Sequence, residues 1–355
     1  MSAMDQCVAA GANVINLSFG TNIDGYFLRT YIDGLTAQGI IVVASAGNNG
    51  DATKMYPASH PDVWSVAAVK ANQDKLYWSN YNDQVEFAAP GHHVISTTAA
   101  SSKVEGPSGF AYQAVPLRNT PKTSVTGKLV DCGDGTSCAR SKLRNNVCLV
   151  VRRATSPATV KDIVKTCTDN GAIGAVIYSD IGGDPTKWGA YPGTTIPMVG
   201  VSKLDGLELH FGSDSIEMST KNANFAAGQG LDSFVGEIVT IGDVGGNGIE
   251  YTYSQMSGTS MAAPHVAAVA GYLVSHVGDE CTPDQIRYAM AATAEHPTVN
   301  EWGTRLKCDA KFGHGIVKAQ QALSFLQNTF NCANTTIPAA NLKGGCSLVG
   351  ATPLY

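Results

Sequence analysis

A serine at the start of a helix can act as a nucleophile when donors for a developing oxyanion lie around it, and Ser260 occupies such a position. The small residues Ser257, Gly258 and Thr259 lead into it. Val266, Val269, Ala270, Leu273 and Val274 then recur at i, i+3, i+4, i+7 and i+8, the period of an apolar helix face. Pro264 is expected within about the first turn, where helical N–H groups need no acceptor. The free N–H groups and the dipole at that end favour a negative oxygen. Gly258 would let another backbone approach closely. A serine here also reads as a simple N-cap. A second candidate is Asn48. It follows Gly39–Gly47 (GIIVVASAG), an apolar run of the kind that forms a parallel strand covered on both faces. Ligands gather at the carboxyl ends of such strands, although Asn-Gly pairs also read as turns.

Both segments match a family pattern. Gly258 to Val266, GTSMAAPHV, resembles the nucleophile segment of the subtilisin-like serine proteases, and the resemblance implies Ser260 as nucleophile. Ala44 to Gly50, ASAGNNG, resembles the segment whose Asn side chain donates to the oxyanion; that implies Asn48, with the Ser260 N–H as second donor. By the same resemblance Ser18, Phe19 and Gly20 form the edge that pairs with a peptide main chain. Ala44, Ser45, Ala46 and Gly47 would line one wall of the pocket for the residue before the scissile bond, and Met55 would lie near its floor. The implied preference there is apolar and of medium size. Met55 can equally be a packing residue.

The base is harder to find. The family carries its Asp at the end of an early strand and its His in a His-Gly-Thr-His type motif. None of the eight histidines (60, 92, 93, 210, 265, 276, 296 and 314) stands in such a motif, and no Asp-Ser/Thr-Gly string occurs. His265 lies five residues along the helix from Ser260 and is expected to be structural. The sequence thus holds the nucleophile and oxyanion side of a site without its base and orienter, as in a fragment or incomplete gene product, and alone it is expected to be inactive. A non-catalytic peptide-binding pseudoprotease is the first alternative. An interaction module built on the middle of the chain is another. An α/β-hydrolase is disfavoured because Ser260 lacks a Gly-x-Ser-x-Gly elbow.

The elements that must position these residues read as an α/β chain. Met1–Ala10 looks like a helix end; Asn13–Gly20 like a strand; Phe27, Leu28, Tyr31, Ile32 and Leu35 like one helix face; and Val63–Val69 and Val85–Ala89 like strands. Strand, helix, strand at this spacing is a βαβ unit. From about residue 101 the pattern becomes independently α+β, with strands at 128–131, 147–152, 172–178 and 196–201 and a helix through Val160, Ile163, Val164 and Cys167. GAIGAVIYSD and IPMVGVSKLDG in this region resemble a protease-associated (PA) domain. Thr282-Pro283-Asp284-Gln285 is a capping box, and GHGIVKAQQAL resembles a closing subtilase segment. The implied fold is a partial subtilisin-like, three-layer parallel-sheet domain over residues 1–100 and 227–328, an inserted PA-like domain over 101–226, and a tail over 329–355.

Composition limits the partners. A net charge of −5 at pH 7 gives no reason to expect nucleic acid, and no apolar run is long enough to span a membrane. The expected partner is a polypeptide substrate. No cofactor or metal is implied; structural calcium is common in the family, but no compact oxygen-rich loop stands out. The start of the chain is not a signal peptide, which taken literally points to the cytosol. Nine cysteines and the Asn334-Thr335-Thr336 sequon point instead to secretion. The odd count leaves one Cys over. Cys7 is the natural candidate, and Cys132 with Cys138 a plausible close pair.

Overall fold

The apolar runs of the first hundred residues pair with one another in chain order. A computed structural model describes residues 2–100, 102–106, 111–117, 119–156, 158–180, 194–211, 235–242, 250–297, 308–335, 337 and 345. The chain forms two compact units, Met1–Val94 with Ser257–Tyr355, and Ile95–Met256. The first begins with α1 (Ser2–Ala9), β1 (Val14–Leu17), α2 (Tyr26–Thr36), β2 (Ile41–Ser45), β3 (Val63–Val69) and β4 (Val85–Pro90). These strands make a parallel sheet in the order β1-β2-β3-β4, with Val14 opposite Ile41 and Val42 opposite Val63. All five residues of β2 are buried, so both of its faces are covered. Ile32 and Leu35 of α2 pack with Ile15, Leu17, Val42 and Ala44. Phe27, read as part of that helix face, is instead 79% exposed. At about 100° per residue it falls at the margin of a stripe centred on Leu28, Tyr31, Ile32 and Leu35.

The second unit holds β5 (Val94–Ala100), β6 (Ser102–Glu105), β7 (Ala111–Pro116), β8 (Val125–Asp131), α3 (Arg140–Leu143), β9 (Val147–Arg152), α4 (Val160–Asp169), β10 (Gly174–Ser179), β11 (Met198–Val201), α5 (Lys203–Phe211), β12 (Ile238–Gly242) and β13 (Glu250–Met256). Its strand order is β11-β10-β9-β8-β12-β6-β7-β13-β5, and β11 also pairs antiparallel with β7. The strands from β11 round to β7 therefore close on themselves, which removes their free edges. One core contains Leu149, Tyr178, Val199 and Leu209; another packs α4 against the sheet through Ile163, Val164 and the Cys148–Cys167 disulfide. Cys132 and Cys138 form a second bridge. β12 and β13 follow residue 226, where the sequence pattern places the return to the first domain. They join this sheet instead, because β12 supplies the antiparallel neighbour of both β6 and β8.

The chain then completes the first unit with α6 (Thr259–Val277), α7 (Pro283–Thr293) and α8 (Ala319–Asn328). α6 lies across β1 to β4 and buries Ala262, Ala263, Val266, Ala270 and Leu273; its small residues allow a close approach to the sheet. The capping box of α7 forms as read: Thr282 Oγ1 accepts from the Gln285 N–H at 3.3 Å, and Gln285 Oε1 accepts from the Thr282 N–H at 2.8 Å. The Cys281–Cys332 disulfide ties the start of α7 to the chain beyond α8. Cys308 is also disulfide-bonded, whereas Cys7 is exposed and free. Arg287 of α7 is buried against Glu86 of β4 in a bidentate pair and also donates to the Pro61 carbonyl at 3.1 Å.

One buried acid gives the second unit a pH dependence. Ser202 Oγ donates to Asp205 Oδ2 at 2.7 Å and accepts from the Asp205 N–H at 3.1 Å, capping α5. Burial pushes the Asp205 pKa up from 3.8 to about 7, the Ser202 bond opposing it and Glu208 adding to it. The folded state thus holds a proton that the unfolded chain releases. The contribution to stability is fully present below pH 4 and is lost as pH rises toward 7, by about 4 kcal/mol in all. Asp205→Asn should remove this slope. Hydrogen exchange of peptides across α5 in the full chain, measured between pH 4 and 8, checks it.

Candidate active site

The exit of β2 and the start of α6 meet through one threonine. The Gly47 N–H donates to Thr259 Oγ1 at 3.1 Å, and that hydroxyl donates to Asn48 Oδ1 at 2.8 Å. The Thr259 N–H donates to the same Oδ1 at 2.9 Å. With its oxygen held twice, the Asn48 amide cannot flip, and its Nδ2 donor end is directed away from Thr259. Nδ2 lies 3.4 Å from where a Cβ on Gly258 would stand, beside the residue that precedes α6. Ser260 is the second helical residue, so its N–H has no acceptor within the helix. A fixed amide thus lies beside Gly258, two residues before that N–H.

The close backbone approach expected at Gly258 is borne by its neighbour. The Gly258 N–H donates to the Gly91 carbonyl at 2.8 Å, and a Cβ on Gly91 would come within 2.7 Å of the Gly258 carbonyl and 2.6 Å of Ala68 Cβ. The glycine just beyond β4 is thus the one that lets α6 dock.

Pro264 also differs from expectation. It is the sixth helical residue, past the first turn, so its missing N–H deprives the Ser260 carbonyl of its helical donor. Ser18 Oγ replaces that donor at 2.7 Å. In return Ser260 Oγ donates to the Ser18 carbonyl at 3.1 Å. Among the described residues, no hydrogen bond joins Ser260 Oγ to an imidazole. His265 is exposed, with Nδ1 2.8 Å from the Met261 carbonyl on its own helix.

The remaining sequence-derived residues divide into two groups. Gly20, Met55 and Gly47 converge: a Cβ on Gly20 would touch Met55 Cβ and Cε at 3.5 and 3.6 Å, and one on Gly47 would lie 2.6 Å from Met55 Cγ. Gly47 has φ of 111°, so both backbone and space require glycine. Thr21 and Tyr56 bond reciprocally at 2.9 and 2.7 Å, which ties the Ser18–Gly20 segment to Met55. His60 packs on the Tyr56 ring, and burial lowers its pKa below the ordinary value. Phe19 is exposed at 54%. Ala44, Ser45 and Ala46 are buried; Ala44 packs in the core with Leu17 and Val42, and Ala46 with Ala67 and Val85. Their side chains serve the sheet, and what they can offer a ligand is main chain.

Asn80 is absent from the sequence reading. It is fully buried, and its Oδ1 accepts from the Asn49 and Gly50 N–H groups at 2.7 and 3.1 Å. The available signal is a Ser-Asn pair directly after Trp78, between the strand-like runs Val63–Val69 and Val85–Ala89. Buried polar side chains in such stretches usually hold main chain.

The Ser18–Pro264 pairing can be tested by a double-mutant cycle. Ser18→Ala leaves the Ser260 carbonyl without its donor and should cost about 1–3 kcal/mol in urea unfolding. Pro264→Ala returns a helical N–H to that carbonyl, so in its background Ser18→Ala should cost well under half as much. Equal costs in both backgrounds would show that the two residues are independent.

The model of the Subtilase family (Peptidase_S8) matches residues 1–177 and 215–315. Thermitase from Thermoactinomyces vulgaris is 32% identical over 136 residues, which cover 38% of this chain and 46% of thermitase. Subtilisin DY from Bacillus licheniformis is 36% identical over 101 residues, 27% of this chain and 37% of that protein. Among solved structures, the psychrophilic subtilisin-like protease Apa1 from Pseudoalteromonas sp. AS-11 aligns at 30% identity with a TM-score of 0.47, covering 94% of this chain and 74% of Apa1. The chain spans less than half the length of the curated relatives it matches. With the family model matched over most of its residues, this chain belongs to the subtilase family, and its parallel-sheet unit is the subtilisin-like α/β fold.

Proposed function

We propose that this chain carries the nucleophile and oxyanion side of a serine endopeptidase site that cleaves polypeptides through an acyl-enzyme on Ser260. The observation that carries the reading is the doubly held Asn48 amide beside the second residue of α6. Ser260 Oγ would attack the scissile carbonyl, while Asn48 Nδ2 and the Ser260 N–H stabilise the tetrahedral oxyanion. The Ser18–Gly20 segment would pair with the substrate main chain, and the space between Gly20, Gly47 and Met55 would take the side chain before the scissile bond. Acyl transfer of this kind draws on side chains and main-chain donors, and we assign it no cofactor.

Before attack, the Ser260 proton must leave the Ser18 carbonyl for a base. We assign that base, and the carboxylate that orients it, to residues outside this sequence; without them only a residual ~10³–10⁴-fold effect over water remains. The Ile95–Met256 unit is proposed as a PA-like insert without catalytic residues. Disulfides at Cys132–Cys138, Cys148–Cys167 and Cys281–Cys332 favour secretion of the complete protein. No helix among the described residues is long and apolar enough to cross a membrane.

The test is peptide hydrolysis by the protein as expressed from its own gene. Ser260→Ala should abolish turnover, and Asn48→Ala should lower kcat about 10²–10³-fold with little change in KM. Cleavage should favour medium-sized apolar residues before the scissile bond. An Arg- or Lys-selective profile would overturn the pocket assignment, and turnover that survives Ser260→Ala would overturn the nucleophile.

A further inference from the structure

The Asn48 amide sits on a loop that makes no regular secondary structure, between β2 and β3, and a loop amide placed by its own turn alone would be a poor oxyanion donor. Thr259 fixes the acceptor end of the side chain. Something else must fix the main chain that carries it. We infer that Asn80 is this second support: a positioning residue that holds the Gly47–Thr53 loop, and through it Asn48, at the geometry the oxyanion requires. This inference rests on the serine-peptidase reading given above.

Four bonds converge on the Asn80 side chain and its own backbone. Asn80 Oδ1 accepts from two successive loop amides, Asn49 at 2.7 Å and Gly50 at 3.1 Å. Asn80 Nδ2 donates to the Thr53 carbonyl at 3.0 Å, closing the far end of the loop. The Asn80 N–H donates to the Gly47 carbonyl at 3.0 Å, closing the near end. Both ends and the middle of the loop are thus referred to one residue. The flanks of Asn48 are held from opposite sides, Gly47 by Thr259 and Asn80, and Asn49 by Asn80.

The support is itself fixed. Asn80 is 0% exposed, and its neighbour Ser79 accepts the Ala68 N–H of β3 through Oγ at 2.9 Å. Lys75 Nζ donates to the Leu76 and Ser79 carbonyls at 3.0 and 2.9 Å, tightening the turn that presents Asn80. Further bonds reinforce the seam, from the Tyr81 N–H to the Asp51 carbonyl at 3.0 Å and from Asn82 Nδ2 to the Thr53 carbonyl at 3.3 Å. The fit is close on both sides. A Cβ on Gly47 would lie 2.5 Å from Asn80 Nδ2, and one on Gly50 would lie 2.6 Å from the Tyr77 carbonyl. The loop therefore cannot settle deeper onto Asn80, and with four bonds it cannot lift away. No residue of ordinary loop chemistry substitutes: Asp lacks the donor for Thr53, Ser cannot span both ends, and Leu would strand two buried N–H groups.

Asn80 touches no reacting atom on this reading, so its effect must pass through Asn48, and that makes it separable from a purely structural role. Asn80→Ala should lower kcat about 10–100-fold per titrated active site with KM changed less than about threefold, because an oxyanion donor displaced by about 1 Å loses much of its effect. In an Asn48→Ala background the same substitution should cost less than about threefold. Equal losses in both backgrounds would overturn the inference. Asn80→Asp, which keeps the acceptor for Asn49 and Gly50 but loses the donor for the Thr53 carbonyl, should lie between wild type and Asn80→Ala; it supplies the comparison if the alanine variant fails to fold, and an Asn80→Asp enzyme with wild-type kcat would also overturn the inference. The second readout needs no activity. Amide exchange at Asn49 and Gly50 should be slow in the full chain and at least about tenfold faster in Asn80→Ala, and unchanged exchange would overturn the clamp. If the wild-type protein shows no Ser260-dependent hydrolysis, the peptidase reading fails while the exchange experiment still decides whether Asn80 holds the loop.

Discussion

The first unit depends on the docking of one helix end onto one strand end. α6 crosses all four strands of the parallel sheet, and a helix packed through alanines could slide along such a surface at little cost. Thr259 removes that freedom. Its N–H and hydroxyl both bond Asn48 Oδ1, and the hydroxyl also accepts from Gly47. Three bonds thus fix the axial position and rotation of α6 at its first residue. They also settle which end of the Asn48 amide points toward Thr259. On the proposed reading the same contact anchors the fold and orients the Asn48 donor, so stability and chemistry are coupled there.

A second constraint acts at the other margin of the sheet. Glu86 and Arg287 bury opposite charges between β4 and α7, where isolated charge would be costly. Two charged oxygens are met by two guanidinium donors, and the Pro61 carbonyl takes a third at 3.1 Å. Such a pair is weak as a source of net stability, but it is selective: a helix docked one turn out of place would leave both charges unpaired. Together with the Glu86 carbonyl, which accepts from the His314 N–H at 2.8 Å, it fixes where the end of the chain returns to the sheet. α6 is set by its first residue, and α7 by a charge near its middle.

What could be read from the residues alone was local or periodic. The run from Gly39 to Gly47 announced a fully buried strand, and β9 runs from Val147 to Arg152 as its apolar pattern requires. Thr282 and Gln285 are three residues apart, so their capping box is written in the sequence. Family likeness added the convergence of Ser260, Asn48 and Ser18, which no periodicity contains. The misses share a cause. β12 and β13 are short strands whose partners lie more than a hundred residues back, and nothing in VTI or its surroundings names β8 as neighbour. Phe27 was assigned to the core by type, although its angular position puts it at the margin. Asn80 carries little local signal because the main-chain groups it holds lie some thirty positions earlier.

The Ser18–Pro264 relation shows why such long-range terms decide a site. Proline inside a helix reads as a defect, and the serine after β1 reads as an edge residue. In the fold they form one feature. Pro264 strips the Ser260 carbonyl of its donor, and Ser18 Oγ restores one from 242 residues away. The carbonyl end of Ser260 is thereby satisfied from outside the helix, while its N–H, at the second helical position, has no acceptor within it. A helix with an ordinary residue at 264 would meet the same carbonyl from within and would not require Ser18 at all. The proline thus makes Ser260 answerable to the β1 edge: Ser18 must be in place for the start of α6 to be satisfied. Because the Ser18 carbonyl also accepts the Ser260 hydroxyl at 3.1 Å, a displacement of that edge by a bound chain would be felt at once on both the main chain and the side chain of Ser260.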